Sequence, residues 1–181
     1  MPLKLAVLCA LLGVALAASA DELLGRVVAV SDGDTIEVLD ASNTPVVVRL
    51  ANIDAPETSC HQHSEAAAEA CTETSQPFGK ASKKSLAALV FGKSVRVVLI
   101  EGKHATSYGR AVGTVYVDAL DANLEQVRRG YAWHYTAYGK RQQTPDVFAS
   151  YADAERSARA AAAGLWADKS PVAPWDFRHP H

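Results

Sequence analysis

The sequence predicts one α+β domain in which a barrel of five short β-strands carries about three α-helices. Two observations predict this class: runs of β-branched residues recur between turn signals, and stretches with helical spacing interrupt and follow them. The 181 residues suit one domain once a targeting segment is removed. Because the sequence shows no internal repeat and no long linker, we expect a single domain over residues 21–181, with a C-terminal tail over 167–181.

The first 20 residues have the composition of a signal peptide. Lys4 precedes an apolar run over 5–17, which is shorter than the roughly 20 residues that span a membrane. Small residues at Ala18 and Ala20 predict cleavage after Ala20. The alternative is an uncleaved N-terminal anchor. We expect a secreted or periplasmic protein that has no membrane attachment after cleavage.

The five predicted strands are β-branched runs with partial alternation of apolar and polar residues. They cover residues 24–31, 35–39, 45–50, 94–100 and 111–117. Asp32-Gly33 separates the first two strands and is typical of a hairpin turn. Five short strands divided by turns favour a small barrel.

The three predicted helices are marked by their ends. The first covers 78–91 and stops at Gly92, and the second covers 123–129. The third begins at Thr144-Pro145-Asp146, where a hydroxyl cap, a proline and an acid suit a helix N-terminus, and it continues to Gly164. Three side chains of this region are expected to bury against the barrel, namely Phe148, Tyr151 and Leu165.

Residues 58–76 are predicted to form an insertion that is rich in alanine and glutamate. Cys60 and Cys71 lie near its ends, and an even pair of cysteines in an exported chain predicts a disulfide. The alternative is a pair of free thiols. His61 and His63 are too few for a structural zinc site, which takes four protein ligands.

Charge is divided along the chain although the net charge is only −2. Residues 21–77 hold eleven acids against two arginines, whereas residues 78–150 hold eleven lysines and arginines against five acids. An acidic segment suits a cation and a basic segment suits phosphate, with solvated faces as the alternative for both. Lys84 and Arg128 are expected to belong to solvated helix surface.

Two short acidic motifs lie at predicted strand ends, Asp32-Gly33-Asp34-Thr35 and Asp54-Ala55-Pro56-Glu57. Each alone has an ordinary explanation as turn or loop sequence. Strand pairing would bring Asp34 and Asp54 together, and two adjacent carboxylates repel each other unless they are protonated or bridged by a cation. Oxygen ligands select calcium or magnesium. Glu57 is then expected to orient or deprotonate a water molecule at the same place.

Two arginines are placed to meet a phosphate group. Arg49 lies five residues before Asp54, and Arg110 begins the fifth strand. Guanidinium groups match phosphate oxygens in a bidentate manner. Tyr108 is then expected to contact a sugar or a base, with a structural tyrosine as the alternative. A cation, a water-activating acid and a guanidinium group are what phosphoryl transfer needs.

The motifs occur in a fixed order: DGDT, R-x(4)-DAPE, YGR, and an L-x(2)-V-x(2)-G-x-A pattern over 124–132. In this order they resemble the staphylococcal nuclease-like (thermonuclease) family, over about residues 24–166. The C-terminal sequence PVAPWDFR also resembles exported bacterial members. The resemblance implies an OB-fold and an enzyme that cuts DNA and RNA with little sequence preference.

The resemblance further implies a calcium site. Its ligands would be Asp34, Asp54 and the backbone carbonyl of Ala55, with Asp32 near the metal as an outer-shell group. Ala55 stands where the prototype of the family has threonine, so the carbonyl is retained and any role of a hydroxyl group is lost.

The resemblance also implies the catalytic residues. Glu57 would handle the attacking water, and Arg49 and Arg110 would bind the phosphate and stabilise its transition state. Tyr138 lies nearest to a tyrosine position of the family and is expected, with Tyr108, to bind substrate. For the other aromatic residues around Tyr138, barrel packing and base stacking are both open.

Two classes of function remain. The first is a secreted calcium-dependent nuclease that acts on DNA or RNA. The alternative is a non-catalytic OB-fold module, because such barrels also bind strands without cutting them. A module that only bound would not need three acids facing a polyanion. We expect a monomer, and the sequence implies no stable protein partner.

Overall fold

The computed structural model describes residues 21–58, 75–100, 106–107 and 109–179. Several predictions fall on other residues: the signal peptide over 1–20, the disulfide between Cys60 and Cys71, the zinc candidates His61 and His63, and the substrate contact of Tyr108. Within the described ranges, no helix is long and apolar enough to cross a membrane.

The strands of the described residues follow the sequence prediction closely. They are β1 Glu22–Val30, β2 Thr35–Asp40, β3 Pro45–Leu50, β4 Ile53–Asp54, β5 Ser94–Leu99, β6 Thr106–Ser107, β7 Arg110–Val117, β8 Leu120–Asp121 and β9 Trp133–His134. The five predicted strands correspond to β1, β2, β3, β5 and β7. The other four have two residues each, which is too short for alternation to reveal them.

The five longer strands form a closed barrel in the order β3-β2-β1-β5-β7. Neighbours along this order are antiparallel, and a parallel pairing of β3 with β7 closes the barrel, with Leu50 opposite Gly113. An irregularity in register between Val27 and Ala29 bends β1. The predicted α+β fold with a five-stranded barrel of the OB type is therefore confirmed.

The described residues include five α-helices and one 3-10 helix. They are α1 Gly79–Val90, α2 Ala122–Arg128, α3 Thr136–Gln142, α4 Pro145–Ala160, α5 Pro174–Phe177, and the 3-10 helix Gly164–Ala167. The predicted helices are α1, α2 and α4. Helix α4 begins as expected, with the Thr144 side chain accepting the N–H of Val147, but it ends at Ala160 because Ala162 adopts a positive φ of 49°.

Aliphatic side chains fill the barrel, and the helices cover its open side. The fully buried members include Val27, Ile36, Val38, Val48, Val97 and Val115 from the strands, with Leu86, Val90 and Val127 from α1 and α2. Each such side chain contributes about 1.5–3 kcal/mol on burial. Tyr151 and Leu165 are buried as expected, whereas Phe148 is half-buried.

Helix α2 is tied to the barrel by a buried amide. The Asn123 side chain donates to the carbonyl oxygens of Ala51 at 3.0 Å and Gly113 at 3.2 Å, and it accepts the N–H of Val115 at 3.0 Å. Because a buried amide without partners would be costly, these bonds fix the register of α2 on the barrel. This placement decides where the β1–β2 loop, which packs on α2, can lie.

Candidate active site

The loop between β1 and β2 presents Asp34 at one end of the barrel. Asp34 is buried, and its Oδ2 accepts the N–H of Ala55 at 3.0 Å while its Oδ1 accepts the hydroxyl of Thr35 at 3.1 Å. Its backbone carbonyl accepts the N–H of Leu50 at 2.8 Å. Asp32 Oδ1 accepts the N–H of Asp34 at 3.0 Å. The loop is therefore held against both β3 and the β4 segment.

Helices α1 and α2 support the same loop from its other side. The Gln126 side chain donates to the carbonyl oxygen of Gly33 at 2.9 Å and to that of Ser82 at 3.2 Å. A Cβ at Gly33 would overlap the hydroxyl oxygen of Ser82 and lie 2.7 Å from the Cβ of Ala55. Glycine is thus required here by close approach.

Arg49 joins the two aspartates. Its Nη2 lies 2.6 Å from Asp54 Oδ1 and 3.0 Å from Asp34 Oδ2. Asp54 is fully buried, on the short strand β4, which pairs with β9 opposite Trp133. The structure therefore brings Asp34, Asp54 and Arg49 together, as the sequence motifs lead us to expect.

The carboxylates of the site are short of positive charge. Burial raises the pKa of Asp34 well above its ordinary value, the charge of Arg49 lowers it, and the charges of Asp32, Asp54 and Glu57 raise it further. Burial would lower the pKa of Arg49, but Asp34 and Asp54 outweigh burial and raise that pKa. A further cation at this place would favour the ionised form of Asp34.

Glu57 is buried and is fixed by Gln76, on the other side of the insertion. The N–H of Glu57 donates to Gln76 Oε1 at 3.1 Å, and the N–H of Gln76 donates to the carbonyl of Glu57 at 2.9 Å. The side-chain NH2 of Gln76 also donates to the carbonyl of Val172 at 2.7 Å. The sequence carries no local signal for this residue, which joins Glu57 to the C-terminal tail.

Arg178 follows α5 and contacts the same carboxylates. Its Nη2 lies 2.6 Å from Asp54 Oδ2, and its Nη1 lies 3.1 Å from Asp54 Oδ1 and 2.5 Å from Glu57 Oε1. Burial would lower the pKa of Arg178, but Asp54 and Glu57 outweigh burial and raise it. Arg178 is not among the residues that the sequence motifs predict for the site. The available signal is that it closes the PVAPWDFR sequence of the tail.

Arg110 stands on the strand next to Arg49. It begins β7, two positions before Val112, and Val112 pairs with Arg49 across the parallel β3–β7 contact. The two arginines therefore lie on adjacent strands, two register positions apart. Tyr138 lies on α3 with 40% of its surface exposed, and its ring centroid is 4.8 Å from that of Tyr135.

Most of the other aromatic residues in this region pack against one another. Trp133 lies edge-on against Trp166 with ring centroids 4.4 Å apart, and His134 is buried. Tyr135 stacks on Trp175 of the tail, with ring centroids 5.1 Å apart and planes within 10°. Packing therefore accounts for Trp133 and His134, whereas Tyr138 presents an exposed ring.

The donor atoms of the site suit a hard cation. Among the residues that the structure describes, no three His, Cys, Asp or Glu side chains are grouped closely enough to hold a metal ion by themselves. Four carboxyl groups, however, lie around Asp34 and Arg178, namely Asp32, Asp34, Asp54 and Glu57. Oxygen donors of this kind are the ligands that hard divalent cations such as calcium or magnesium prefer.

Comparison with known proteins gives consistent matches. The sequence profile of staphylococcal nuclease homologues matches residues 47–168. An uncharacterized endonuclease of Haemophilus influenzae is 39% identical over 153 residues, covering 84% of this chain and 71% of that protein. Protein ParB of Escherichia coli is 37% identical over 166 residues, covering 87% and 80%. The probable staphylococcal-like nuclease CAN2 of Oryza sativa subsp. japonica is 32% identical over 164 residues, covering 91% and 36%.

Proposed function

This chain belongs to the staphylococcal nuclease family, and from that premise we propose that it is an exported, calcium-dependent nuclease that hydrolyses phosphodiester bonds of DNA or RNA with low sequence specificity. The observation that carries the proposal is the group of buried acids at one end of the barrel, two of them joined by Arg49. The names endonuclease and staphylococcal-like nuclease, which relatives bear, support the class of reaction.

In this proposal Asp34, Asp54 and the backbone carbonyl of Ala55 bind the calcium ion. The group of carboxylates at the site supports a divalent cation, and the mixed set of side-chain and main-chain oxygens suits calcium better than magnesium, which demands near-octahedral geometry. When bound, such an ion supplies Lewis-acid polarisation of a phosphoryl oxygen.

Glu57 is the proposed general base. Its main chain is fixed on both sides by Gln76, so the carboxylate has a defined position, and a buried carboxylate is suited to accept a proton from the attacking water. Its Oε1 contacts Nη1 of Arg178, which also contacts Asp54, and this supports a place for Glu57 beside the other acids.

Arg49 and Arg110 are the proposed phosphate ligands. Their positions two register steps apart on paired strands would allow two guanidinium groups to approach one phosphate, where they would stabilise charge that develops on its oxygens. The exposed ring of Tyr138, together with Tyr108, is proposed to contact a sugar or a base.

Export and the disulfide are separate parts of the proposal. They are supported by the apolar N-terminal run with its small-residue end and by the pair Cys60 and Cys71. Mass spectrometry of the exported protein should give a chain that begins at Asp21. Thiol titration of the unfolded, unreduced protein should find no free thiol, and two free thiols would contradict the disulfide.

The decisive experiment is incubation of purified mature protein with DNA and with RNA, in calcium, in magnesium and in excess EGTA. We expect cleavage in calcium and none in EGTA, with magnesium binding the site but supporting little turnover. Undiminished cleavage in EGTA would exclude the calcium dependence. Binding of nucleic acid without cleavage in any of these conditions would favour the non-catalytic OB-fold module.

A further inference from the structure

The C-terminal tail brings an additional guanidinium group to the carboxylates of the site. We propose that Arg178 is a third substrate-binding arginine, which the tail supplies to bind a phosphate group of the nucleic acid. The inference rests on the proposed function, because it requires that the site take both a cation and a phosphate. Arg178 lies beyond residues 47–168, the part of the chain that the profile of staphylococcal nuclease homologues matches.

The C-terminal tail is anchored to the rest of the protein by contacts that precede Arg178. The carbonyl of Val172 accepts a hydrogen bond from the Gln76 side chain, and Ala173 is buried. Trp175 stacks on Tyr135 and also lies edge-on against Trp133, with ring centroids 5.6 Å apart. Aromatic contacts of this kind hold a segment beyond simple burial of its area. The backbone of Arg178 is therefore delivered to the site at a defined position.

Arg178 and a cation compete for the same oxygen atoms. Arg178 contacts both carboxylate oxygens of Asp54 and one oxygen of Glu57. A cation bound to Asp54 needs those lone pairs, and two positive groups sharing one carboxylate repel each other. Since the anchors of the tail precede Arg178 in sequence, its long side chain can leave Asp54 while the tail stays in place.

A phosphate is the group that best replaces the carboxylates as a partner. The guanidinium of Arg178 shares Asp54 Oδ1 with Arg49, so the two forks lie side by side. The Arg178 side chain is 20% exposed, so it borders solvent, from which a ligand would arrive. Planar guanidinium groups bind phosphate oxygens with two parallel hydrogen bonds. With a cation on Asp54, the Arg178 side chain would be free to bind the phosphate instead.

Calorimetry on the full mature chain tests this inference with two ligands. Calcium alone is titrated first, and thymidine 5′-monophosphate, which has no internucleotide bond to cut, is then titrated at saturating calcium. Arg178→Gln should bind calcium about tenfold more tightly, because a competing cation is removed, and should bind the nucleotide about 10- to 100-fold more weakly. Arg178→Lys keeps the charge but loses the planar guanidinium group, so its affinities for both ligands should lie between those of wild type and Arg178→Gln. Arg156→Gln, at an exposed arginine of α4 that pairs with Asp153, should match wild type.

The outcomes separate the two proposals. If wild type binds calcium and nucleotide but Arg178→Gln binds the nucleotide equally well, Arg178 is not a phosphate ligand and this inference alone is overturned, whatever happens to calcium. If wild type binds neither calcium nor the nucleotide, the proposed function is overturned together with this inference. Without ligand, Arg178→Gln is expected to melt at a lower temperature than wild type, because loss of the guanidinium group leaves buried carboxylates with fewer partners. All titrations are therefore run well below the lowest melting temperature, so that the changes in affinity do not come from unfolding.

Discussion

Glu57 differs from the other acids of the site in the task that we propose for it. The substitution Glu57→Gln keeps the shape of the side chain and its buried position but removes the proton acceptor. We expect turnover in calcium to fall about 10²–10⁴-fold. Nucleotide affinity should persist, because loss of an anion lessens repulsion of phosphate. Cleavage rate and nucleotide affinity are the measurements, and a variant that cuts at nearly the wild-type rate would show that Glu57 does not activate the water.

Substitution of either arginine of the barrel should impair nucleotide binding as well as turnover, unlike Glu57→Gln. Arg49→Ala and Arg110→Ala should each lower turnover roughly 10²–10³-fold and also weaken nucleotide binding, because both effects depend on the same charge. Arg110→Ala is the simpler test, since Arg49 also holds Asp34 and Asp54 together.

Matched controls for these variants are Lys84→Ala and Arg128→Ala. Lys84 is exposed on α1, and Arg128 pairs with Glu125 on the helix surface. Both should keep wild-type turnover and affinity. If Arg110→Ala kept the same turnover and affinity as these two controls, Arg110 would not belong to the site.

At the scale of residues, the sequence reveals those site members whose neighbours along the chain form a motif. Asp34, Asp54 and Glu57 lie in four-residue motifs at strand ends, and the pairing of β2 with β3 brings Asp34 next to the segment that leads to Asp54. Gln76 and Arg178 are different, because their contacts with Glu57 join positions 19 and 121 residues apart. Packing between the tail, the end of the insertion and the acids determines those contacts, and no local pattern encodes such packing.

At the scale of elements, the β1–β2 loop depends on the space between α1 and β4. Gly33→Ala places a methyl group against Ser82 and Ala55, so the loop or α1 must move. Overpacking of this kind costs about 1–3 kcal/mol of unfolding free energy. Urea unfolding measures that loss, and calorimetry should show weaker calcium binding because Asp34 moves with the loop.

A double-mutant cycle supplies the control for Gly33. Ser82→Gly removes the side chain that a new methyl group would meet first, at the cost of a hydrogen bond to the carbonyl of Tyr131. The double variant should lose less stability than the sum of the two single variants. Additive losses would mean that the steric contact with Ser82 is not what requires glycine.

Elements that repeat a simple period are the ones that the sequence reveals. The barrel strands alternate buried and exposed residues, and α4 has a hydroxyl cap with proline at its start. Helices α3 and α5 have no side-chain cap at their N-termini. They are stabilised through contacts between residues far apart in sequence, such as the stacking of Trp175 on Tyr135. Such contacts produce no periodic pattern in the sequence.

At the scale of the whole molecule, His134 makes stability depend on pH. Its Nε2 lies 2.9 Å from Gln143 Oε1, an acceptor, so Nε2 carries the proton of the neutral ring. In the described part of the chain, the buried Nδ1 has no hydrogen-bond partner. Burial lowers the pKa of His134 below its ordinary value of 6.5, while Gln143 and Glu155 oppose the change.

The sign of this dependence follows from linkage. The unfolded chain takes up the proton at a higher pH than the native protein does, so the contribution of neutral His134 is present above pH 6.5 and is lost as the pH falls through the lower native pKa. Urea unfolding in EDTA between about pH 8 and pH 5 should show a steeper loss of stability for wild type than for His134→Gln. Parallel curves for the two proteins would contradict this role.

The reciprocal hydrogen bonds between Glu57 and Gln76 have an evolutionary consequence. They hold Glu57 next to Gln76, which lies shortly before α1. Selection can therefore change the residues between Glu57 and Gln76 without moving the proposed base. Closing a longer loop between two fixed positions costs little, about 0.6 kcal/mol for each doubling of loop length. The interval is therefore a place where a protein engineer could graft a peptide that directs the nuclease to a chosen target.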